Sequence, residues 1–486
     1  MISKRALPFP LGPGTRVYLI GLCGTGMSSL AGLFRERGCT VAGSDSACFS
    51  PVKEMVEDLH VTLFPEYREE NIDSFRPDFV VVGNVVGRGH VEGERVLNSA
   101  IPYFSMAEAL RIFFLEGRER IVVAGTHGKT TTTALFAHAL EGAGFHPGWF
   151  IGGQPADLSP HFRVGQGRDF VLEGDEYESA FFDKKSKFFH YYPTTLVLKR
   201  LEYDHTDIFS SEAEYLTAFR HLLRQLPSQG TLFLPSCSPQ ALSLLPHSYS
   251  RTLLYGQQQG DDLRVSPLSS LFPLEFELFR RGERSGPYRL NLLGEYNVEN
   301  ALPVVATLLE RGVESDRIAE ILASFRGVKR RQEILCPGPN HLLVDDFGHH
   351  PTALKETLRS VRLAFPHHRI GVIFEPSSWS LRRRSFQEPL IDSLRDADEL
   401  FILDIRAKEK VPEGERLDLQ AVAKALESSG KRVHLFLNGE NRAERVEEEM
   451  ELFWKGHPQS VTTIFSNGPR LGLERTLPPR IRPFNG

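Results

Sequence analysis

The sequence VVAGTHGKTTTT, residues 122–133, decides the fold of this chain because it joins an apolar strand to a helix through a glycine-containing turn. Many proteins bind the phosphates of a nucleotide at such a junction, with the pattern G-x-x-x-x-G-K-[ST]. That pattern requires a glycine at position 123, where this chain has Val123. The stretch is therefore a damaged loop, a coincidence, or a shorter loop of a particular kind of ATP enzyme.

The residues after the turn have the chemistry that a nucleotide requires. Lys129 can bridge the β- and γ-phosphates, the Thr130 hydroxyl can hold Mg²⁺, and backbone N–H groups at the helix start attract phosphate. A G-K-T triplet can also follow a strand by chance, but the further threonines at 131–133 make chance a poorer explanation. The predicted nucleotide contacts in this segment are Gly125, Thr126, His127, Gly128, Lys129, Thr130 and Thr131.

Two acidic clusters follow apolar strands downstream of the loop. The segment LEGDEYE contains Glu173, Asp175 and Glu176, and LEYDHTDIF contains Asp204, His205 and Asp207. Ligands of open α/β sheets gather at the carboxyl ends of the strands, so both clusters are candidates for the same site. Acidic loop residues are usually just solvated, but two clusters in the block that carries the loop favour a magnesium nucleotide.

Composition limits the class of protein. At 486 residues the chain is long enough for about three domains, and 41% hydrophobic with 24% charged residues is ordinary for a globular protein. A net charge of −5 gives no reason to expect nucleic acid or a membrane surface. The five cysteines are odd in number and never spaced C-x-x-C, which indicates neither a disulfide framework nor a zinc site. We expect a cytoplasmic protein; its oligomeric state stays open.

Strands alternate with helices along the whole chain, which predicts an α/β protein with parallel sheets. We expect a Rossmann-like N-terminal domain over residues 1–116, a central P-loop ATPase-like domain over 117–327 and a C-terminal Rossmann-like domain over 328–486. Residues 235–292 are rich in Ser, Pro and Gln and are predicted to be irregular, with short strands. The Pro- and Arg-rich tail RTLPPRIRPFNG is also predicted to be irregular.

The first block has its own glycine-rich turn, GLCGTG at residues 21–26, which follows the strand Arg16–Ile20. With Asp45 about 20 residues further on, this turn is similar to a dinucleotide-binding motif, except that Cys23 occupies the middle glycine position. A glycine-rich turn at a helix start suits any diphosphate, so the motif alone does not identify the ligand.

Together these motifs resemble the Mur ligase family, which forms peptide bonds on nucleotide-linked cell-wall precursors. GTHGKTTT is similar to the short ATP loop of that family, and GLCGTGMSSLA to its UDP-sugar turn. EYNVENALP, FRGVKRRQE and DDFGHHPTAL are similar to its adenine- and ATP-contacting segments. The resemblance covers about residues 16–468 and implies ATP and Mg²⁺ as cofactors, with UDP-N-acetylmuramate and a cell-wall peptide as substrates.

The resemblance also implies a two-step reaction and a role for each matching residue. The lactyl carboxylate attacks the γ-phosphate of ATP, and the amine then attacks the resulting acyl phosphate, a chemistry that depends on positioning and charge neutralisation. Closure of the third block over the second assembles the site. The resemblance implies that Lys129 contacts the phosphates and that the metal ligands are Thr130, Glu173 and His205, with Glu176 as the alternative to Glu173. Arg331 and His349 are expected near the transferred phosphoryl group. Asp346 is expected to contact the ribose of ATP, and Asn297 and Asn300 its adenine. The implied UDP-sugar contacts are Gly21, Gly24, Thr25, Gly26, Met27 and Asp45.

Several segments favour the branch of the family that joins UDP-N-acetylmuramate to the recycled tripeptide L-alanyl-γ-D-glutamyl-meso-diaminopimelate, among them FFDKKSKF and FEPSS. The branch that adds a single L-alanine is the near alternative. Lys199 stands where the family has Asn, and Ser377 where the tripeptide branch has Arg, so Arg382 in the run RRR is the candidate for gripping a peptide carboxylate. Because there is no lysine between Lys199 and Lys329, we predict that no carbamylated lysine is used.

Two readings of other classes remain at this point. A nicotinamide-dependent dehydrogenase would use the turn at residues 21–26, but it leaves Lys129 and both acidic clusters without a role. A P-loop switch protein would bind nucleotide but would not release ADP in response to substrates.

Overall fold

The computed structural model describes residues 11–49, 52–203, 208–269, 272–338, 340–348, 350–405, 408–437, 441–466, 468 and 470–482. Asp204, His205, Asp207 and His349, which the sequence singles out, lie outside these residues. The chain divides into two compact units, one of Met1–Val265, Leu278–Ser285 and Asn300–Ile321, the other of Ser266–Glu277, Gly286–Glu299 and Leu322–Gly486. In the described part of the chain, no helix is both long and apolar enough to cross a membrane.

Five parallel strands form the first sheet, in the order β3-β2-β1-β4-β5, which is the strand order of a dinucleotide-binding fold without its sixth strand and confirms the Rossmann-like prediction. The central strand is buried from Val17 to Ile20 because helices cover both faces. The strands are β1 (Arg16–Ile20), β2 (Thr40–Ser44), β3 (Thr62–Phe64), β4 (Phe79–Val82) and β5 (Tyr103–Ser105). The helices are α1 (Thr25–Glu36), α2 (Val52–Asp58), α3 (Glu69–Phe75), α4 (Val91–Leu97) and α5 (Met106–Leu110).

The second sheet has ten strands in the order β17-β16-β15-β14-β13-β12-β6-β9-β7-β8, and β10 pairs with β11 in a separate hairpin. These strands are β6 (Glu119–Ala124), β7 (Gly148–Phe150), β8 (Phe162–Arg163), β9 (Asp169–Gly174), β10 (Glu178–Ala180), β11 (Asp183–Ser186), β12 (Thr195–Leu198), β13 (Thr231–Pro235), β14 (Arg251–Gly256), β15 (Leu263–Ser269), β16 (Leu274–Arg280) and β17 (Glu283–Leu290). Helices α6 (Lys129–Gly142), α7 (Glu212–Leu223), α8 (Pro239–Leu242), α9 (Tyr296–Glu310) and α10 (Ser315–Ser324) accompany them.

The third sheet lies in the second unit and has the order β18-β19-β23-β20-β21-β22, parallel except for the edge strand β18. Its strands are β18 (Glu333–Cys336), β19 (His341–Asp346), β20 (Arg369–Phe374), β21 (Glu399–Leu403), β22 (Arg432–Phe436) and β23 (Ser460–Phe465). Its helices are α11 (Pro351–Ala364), α12 (Gln387–Ser393), α13 (Leu419–Ser428), α14 (Arg442–Gly456) and α15 (Leu473–Ile481).

The strands predicted within residues 235–292 are present, as β14 to β17 of the second sheet, and side chains such as Phe276 and Leu278 are fully buried although the composition suggests a loop. The prediction of an irregular tail was wrong for residues 475–481, which belong to α15 despite two prolines, because Leu477 and Ile481 are fully buried in an apolar cluster of the second unit.

The first and second sheets of unit 1 share one apolar core. Helix α1 packs so closely on β8 that a Cβ added to Gly32 would lie 2.1 Å from the Phe162 ring. A side chain at position 32 would therefore separate the two sheets.

A disulfide joins Cys23 to Cys48, with Cα atoms 5.3 Å apart, so the expectation of no disulfide was wrong. Cys23 belongs to the turn between β1 and α1, and Cys48 follows β2. Because β1 and β2 pair in parallel, their carboxyl ends bring the two cysteines together, which neither the odd cysteine count nor the 25-residue separation reveals.

Candidate active site

The loop after β6 is short rather than damaged. Val123 is fully buried within β6, paired with Glu173 on β9 and Val197 on β12, so position 123 belongs to the strand. The turn begins at Gly125, where φ is +123° and an added Cβ would lie 3.0 Å from the Lys199 side chain. It ends at Gly128, whose φ of +80° places it before α6. Both positions require glycine.

Lys129 forms the central ion pair of this loop. Its Nζ lies 2.9 Å from Glu176 Oε2 and donates a 2.6 Å hydrogen bond to the carbonyl of Gly125. The Glu176 side chain is 1% exposed and that of Lys129 16% exposed, so the pair is nearly dry. Burial alone would lower the pKa of Lys129, but Glu176, with Asp175 and Glu173 behind it, outweighs burial and raises that pKa above its usual range.

The two residues predicted to hold Mg²⁺ meet at the start of α6. The Thr130 hydroxyl donates a 3.0 Å hydrogen bond to Glu173 Oε2, and the other carboxylate oxygen accepts a 2.6 Å bond from the Gly152 backbone. A hydroxyl beside an oriented carboxylate is the oxygen donor set that Mg²⁺ takes when nucleotide phosphates complete its shell. Glu176 is paired with Lys129, whereas Glu173 contacts Thr130 and Gly152.

The segment after β12 wraps the other side of the loop. The backbone N–H of Lys199 donates to Ala124, and that of Thr126 donates to Arg200, at 2.8 and 3.0 Å. The Thr126 hydroxyl lies 2.9 Å from the Tyr215 hydroxyl, and His127 Nε2 lies 3.1 Å from Glu202 Oε2. The structure therefore brings Glu202, the second residue of LEYDHTDIF, to the loop; residues 204–207, His205 among them, lie outside the described residues. Thr131 is half-buried in the first turn of α6.

A second, partly buried ion pair lies beside the first, and the sequence did not predict it. Lys187 Nζ contacts Asp175 Oδ2 at 2.5 Å. Burial alone would raise the pKa of Asp175, but Lys187 and Lys129 outweigh it and hold that pKa below its usual range. Burial, with Asp175 and Glu173 nearby, raises the pKa of Tyr191. Lys187 and Tyr191 lie in the run DKKSKFFHYY, which resembles a segment of the family but for which no role was predicted.

The glycine-rich turn of the first sheet lies at the carboxyl end of β1, where the strand order reverses. Gly21 has φ of +81°, and the exposed residues Gly24 and Thr25 begin α1. The Asp45 carboxylate reaches back to this turn and accepts a 2.9 Å hydrogen bond from the backbone of Cys23. Gly26 is half-buried, and a Cβ there would lie 2.7 Å from Met106 Sδ. Met27 is buried in the core beneath the turn.

The second unit gathers its predicted residues around the end of β19. Arg330 is held by the carbonyls of Ser466 and Gly468, whereas the guanidinium of Arg331 lies over the Phe347 ring at 4.7 Å. The Asp346 carboxylate accepts a 2.7 Å bond from the Gly348 backbone and a 3.1 Å bond from the Gln332 backbone, which fixes the strand end beside Arg331.

The remaining predicted contacts lie partly in unit 1 and partly in unit 2. In unit 1, Asn300 Oδ1 would lie 2.8 Å from a Cβ at Gly128, which places this asparagine against the phosphate loop. In unit 2, Asn297 is buried and donates a 2.6 Å bond to the Leu293 carbonyl. Also in unit 2, the Arg382 guanidinium donates to the carbonyl of Ser377.

Comparison with known proteins identifies the family. Residues 16–117 match the Mur ligase family catalytic domain, 123–308 the Mur ligase middle domain and 330–457 the Mur ligase glutamate ligase domain. A UDP-N-acetylmuramate–L-alanyl-gamma-D-glutamyl-meso-2,6-diaminoheptandioate ligase from Escherichia coli is 36% identical over 390 residues, which are 80% of this chain and 84% of that protein. The chain belongs to the Mur ligase family.

Other members show how far the likeness extends. A crystal structure of a murein peptide ligase from Psychrobacter arcticus has 29% identity and a TM-score of 0.67, covering 96% of this chain and 98% of that one. A UDP-N-acetylmuramate–L-alanine ligase from Anaeromyxobacter is 31% identical over 420 residues, 86% of this chain and 88% of that protein. As a Mur ligase the chain is an ATP-dependent, ADP-forming amide ligase, so the dehydrogenase and switch-protein readings are wrong.

The variant Lys129→Ala tests whether Lys129 is needed for catalysis. Because Lys129 is paired with Glu176, a second variant is needed to separate loss of activity from loss of stability. We expect kcat to fall by about 10²-fold or more, because a preorganised cation is lost from the transferred phosphoryl group. The single variant also leaves the buried Glu176 carboxylate unpaired, a change that costs about 3–5 kcal/mol of folding free energy. The double variant Lys129→Ala/Glu176→Gln should regain most of the melting temperature but not the activity. Near-normal turnover in the double variant would show that Lys129 has no catalytic role.

Asp346→Asn tests the electrostatics of the second unit. Burial raises the pKa of Asp346 from 3.8 to about 6, so folding favours its protonated form. The residue therefore contributes stability below about pH 4 that is lost as the pH rises to about 6, roughly 3 kcal/mol in all. Asn does not titrate, so the melting temperature of the variant relative to wild type should rise between pH 4 and 7. A difference that stays constant over this range would contradict the prediction.

Proposed function

We propose that this Mur ligase joins the lactyl carboxylate of UDP-N-acetylmuramate to the amine of L-alanyl-γ-D-glutamyl-meso-diaminopimelate in peptidoglycan recycling. The observation that carries the proposal is the 36% identity to the Escherichia coli ligase named for that tripeptide, over 80% of this chain. The alanine-ligase relative is less similar, at 31%. L-alanine addition therefore remains the second candidate.

The geometry of unit 1 supports a specific division of labour. Lys129 faces the β- and γ-phosphates of ATP, and the backbone N–H groups of the loop bind them at the start of α6. Thr130 and Glu173 would hold Mg²⁺, whose charge neutralises the phosphates, and His205 would serve a second ion. The turn at residues 21–26, with Asp45, binds the diphosphate and ribose of the UDP-sugar.

In unit 2 the proposed roles fall on Arg331 for the transferred phosphoryl group, Asp346 for the ATP ribose and Arg382 for a peptide carboxylate. Arg331 is the better supported of the two neighbouring arginines over the Phe347 ring, because Arg330 already binds two carbonyls. We also propose that the three domains span residues 1–116, 117–327 and 328–486. We propose that the enzyme acts in the cytoplasm.

A coupled ADP-release assay tests the substrate assignment. The purified enzyme is given ATP, Mg²⁺ and UDP-N-acetylmuramate, with either the tripeptide or L-alanine as the amine. We expect kcat/KM for the tripeptide to exceed that for L-alanine at least ~10-fold. A pocket that binds the polar groups of the tripeptide has its own polar groups left unpaired when the smaller L-alanine binds. A preference for L-alanine would favour the second candidate. ADP release at the same rate with and without UDP-N-acetylmuramate would refute both candidate functions.

Glu173→Gln tests the magnesium site. The neutral amide keeps the size of the side chain but removes the charge beside Thr130, so half-maximal activity should need about 10-fold more Mg²⁺. KM for UDP-N-acetylmuramate should be little changed. Glu178→Gln is the matched control, because Glu178 lies on the exposed β10–β11 hairpin and pairs with Lys184. An unchanged Mg²⁺ requirement in Glu173→Gln would remove this residue from the metal site.

A further inference from the structure

A completely buried carboxylate, that of Glu92, lies beneath the first sheet and takes no part in the roles above. Glu92 is in the first turn of α4, and its Oε1 accepts hydrogen bonds from the Tyr18 hydroxyl at 2.9 Å, the Asn71 side-chain amide at 2.9 Å and the Arg68 backbone at 3.2 Å. Its Oε2 accepts a bond from the Ser44 hydroxyl. Two hydroxyls, one amide and one backbone N–H therefore converge on one side chain.

The two oxygens of a carboxylate can together accept from all four donors, which suits a carboxylate to this position. The Arg68 N–H and the Asn71 amide group can only donate, so Oε1 has to remain an acceptor. Burial, together with the nearby Glu92 carboxylate, raises the pKa of Tyr18, which keeps its phenol protonated and able to donate. Loss of the carboxylate would leave these buried donors unpaired.

Ser44 connects this carboxylate to the glycine-rich turn. It is the last residue of β2, and its carbonyl accepts hydrogen bonds from the backbones of both Gly21 and Leu22, at 2.9 and 3.0 Å. The next residue, Asp45, accepts from the backbone of Cys23. The turn from Gly21 to Cys23 is thus held by two consecutive residues, the first of which is held by Glu92.

A second route joins the same helix to the turn. The Tyr67 hydroxyl donates to Asp45 Oδ1 at 3.3 Å, and the Tyr67 ring packs edge-on against His90 with centroids 4.5 Å apart. His90 in turn caps α4, because its Nδ1 accepts from the backbone of Gly93 at 3.3 Å. The start of α4, with Glu92 in it, therefore supports both Ser44 and Asp45.

We propose that Glu92 is a positioning residue for the UDP-sugar: through Ser44 it fixes the Gly21–Cys23 turn in the conformation that receives the diphosphate. This inference rests on the proposed function of the turn. Glu92 is completely buried and acts through the backbone: the N–H groups of Gly21, Leu22 and Cys23 are bound by Ser44 and Asp45, which fixes the start of α1, whose first backbone N–H groups receive the diphosphate. Glu92 thereby sets the affinity for the UDP-sugar. Its removal should affect UDP-N-acetylmuramate and leave ATP, which binds at the Lys129 loop, unaffected.

The test is a series of substitutions read by calorimetric binding of UDP-N-acetylmuramate and by KM for ATP. Glu92→Ala should raise the Kd for the UDP-sugar at least ~10-fold, since several buried donors lose their acceptor. Ser44→Ala, which removes only the connection to β2, should raise it about 3-fold without endangering the fold. Glu92→Gln keeps Oε1 as an acceptor, and its amide can donate to Ser44, so it should restore a Kd within ~2-fold of wild type.

Glu94→Ala is the matched control on the same helix. Glu94 is partly exposed and binds Arg88 and the Gly89 backbone rather than Ser44 or the Gly21–Cys23 turn. The Kd of the Glu94→Ala variant for the UDP-sugar should therefore equal that of wild type. KM for ATP should stay within ~2-fold in every variant. A folded Glu92→Ala or Ser44→Ala protein with wild-type affinity for the UDP-sugar overturns the inference, as does an equal loss of affinity for both substrates. Failure of wild type to bind UDP-N-acetylmuramate would instead refute the proposed function.

Discussion

Parallel pairing of β6 with β9 on one side and β12 on the other is the constraint on which the site depends. Strands that run in the same direction end at the same edge of a sheet, so the turn after β6 must meet whatever follows its two neighbours. One neighbour brings Glu173 to Thr130, and the other brings the Lys199 backbone beneath Gly125. Once these three strands pair, a loop of four residues from Gly125 to Gly128 suffices, and no glycine is needed at position 123.

The charges in this site are arranged in pairs before any nucleotide arrives. Lys129 is neutralised by Glu176 in nearly dry surroundings, where an unpaired charge would be costly, and Lys187 is neutralised by the half-buried Asp175. In the proposed function, phosphate groups entering the loop would compete with Glu176 for the same ammonium group. Because Lys129 is already oriented by its carboxylate and by the Gly125 carbonyl, little reorganisation is required when the partner changes.

The sequence predicted the elements whose signals are local. The apolar run of β6, the glycines after it and the acidic residue at a strand end were enough to bring Lys129, Thr130 and Glu173 together. It did not predict features that depend on contacts distant along the chain. The Cys23–Cys48 disulfide exists because β1 pairs with β2, and α15 exists because Leu477 and Ile481 find an apolar surface. Glu92 likewise gives no local signal, since a glutamate in the first turn of a helix is usually a solvated residue that complements the helix dipole.

Two buried glutamates, Glu176 and Glu92, support the two glycine-rich turns in physically different ways. Glu176 is paired with a cation that belongs to the turn itself, so an arriving anion changes the balance of charge there. Glu92 is held by neutral donors that do not face the ligand, and an arriving diphosphate has nothing to draw away from it. In the proposed function, the first turn would therefore keep its hydrogen bonds when the UDP-sugar binds. The loop from Gly125 to Gly128 would instead exchange the Glu176 carboxylate for phosphate, because its cation is the group that neutralises the phosphoryl group during transfer.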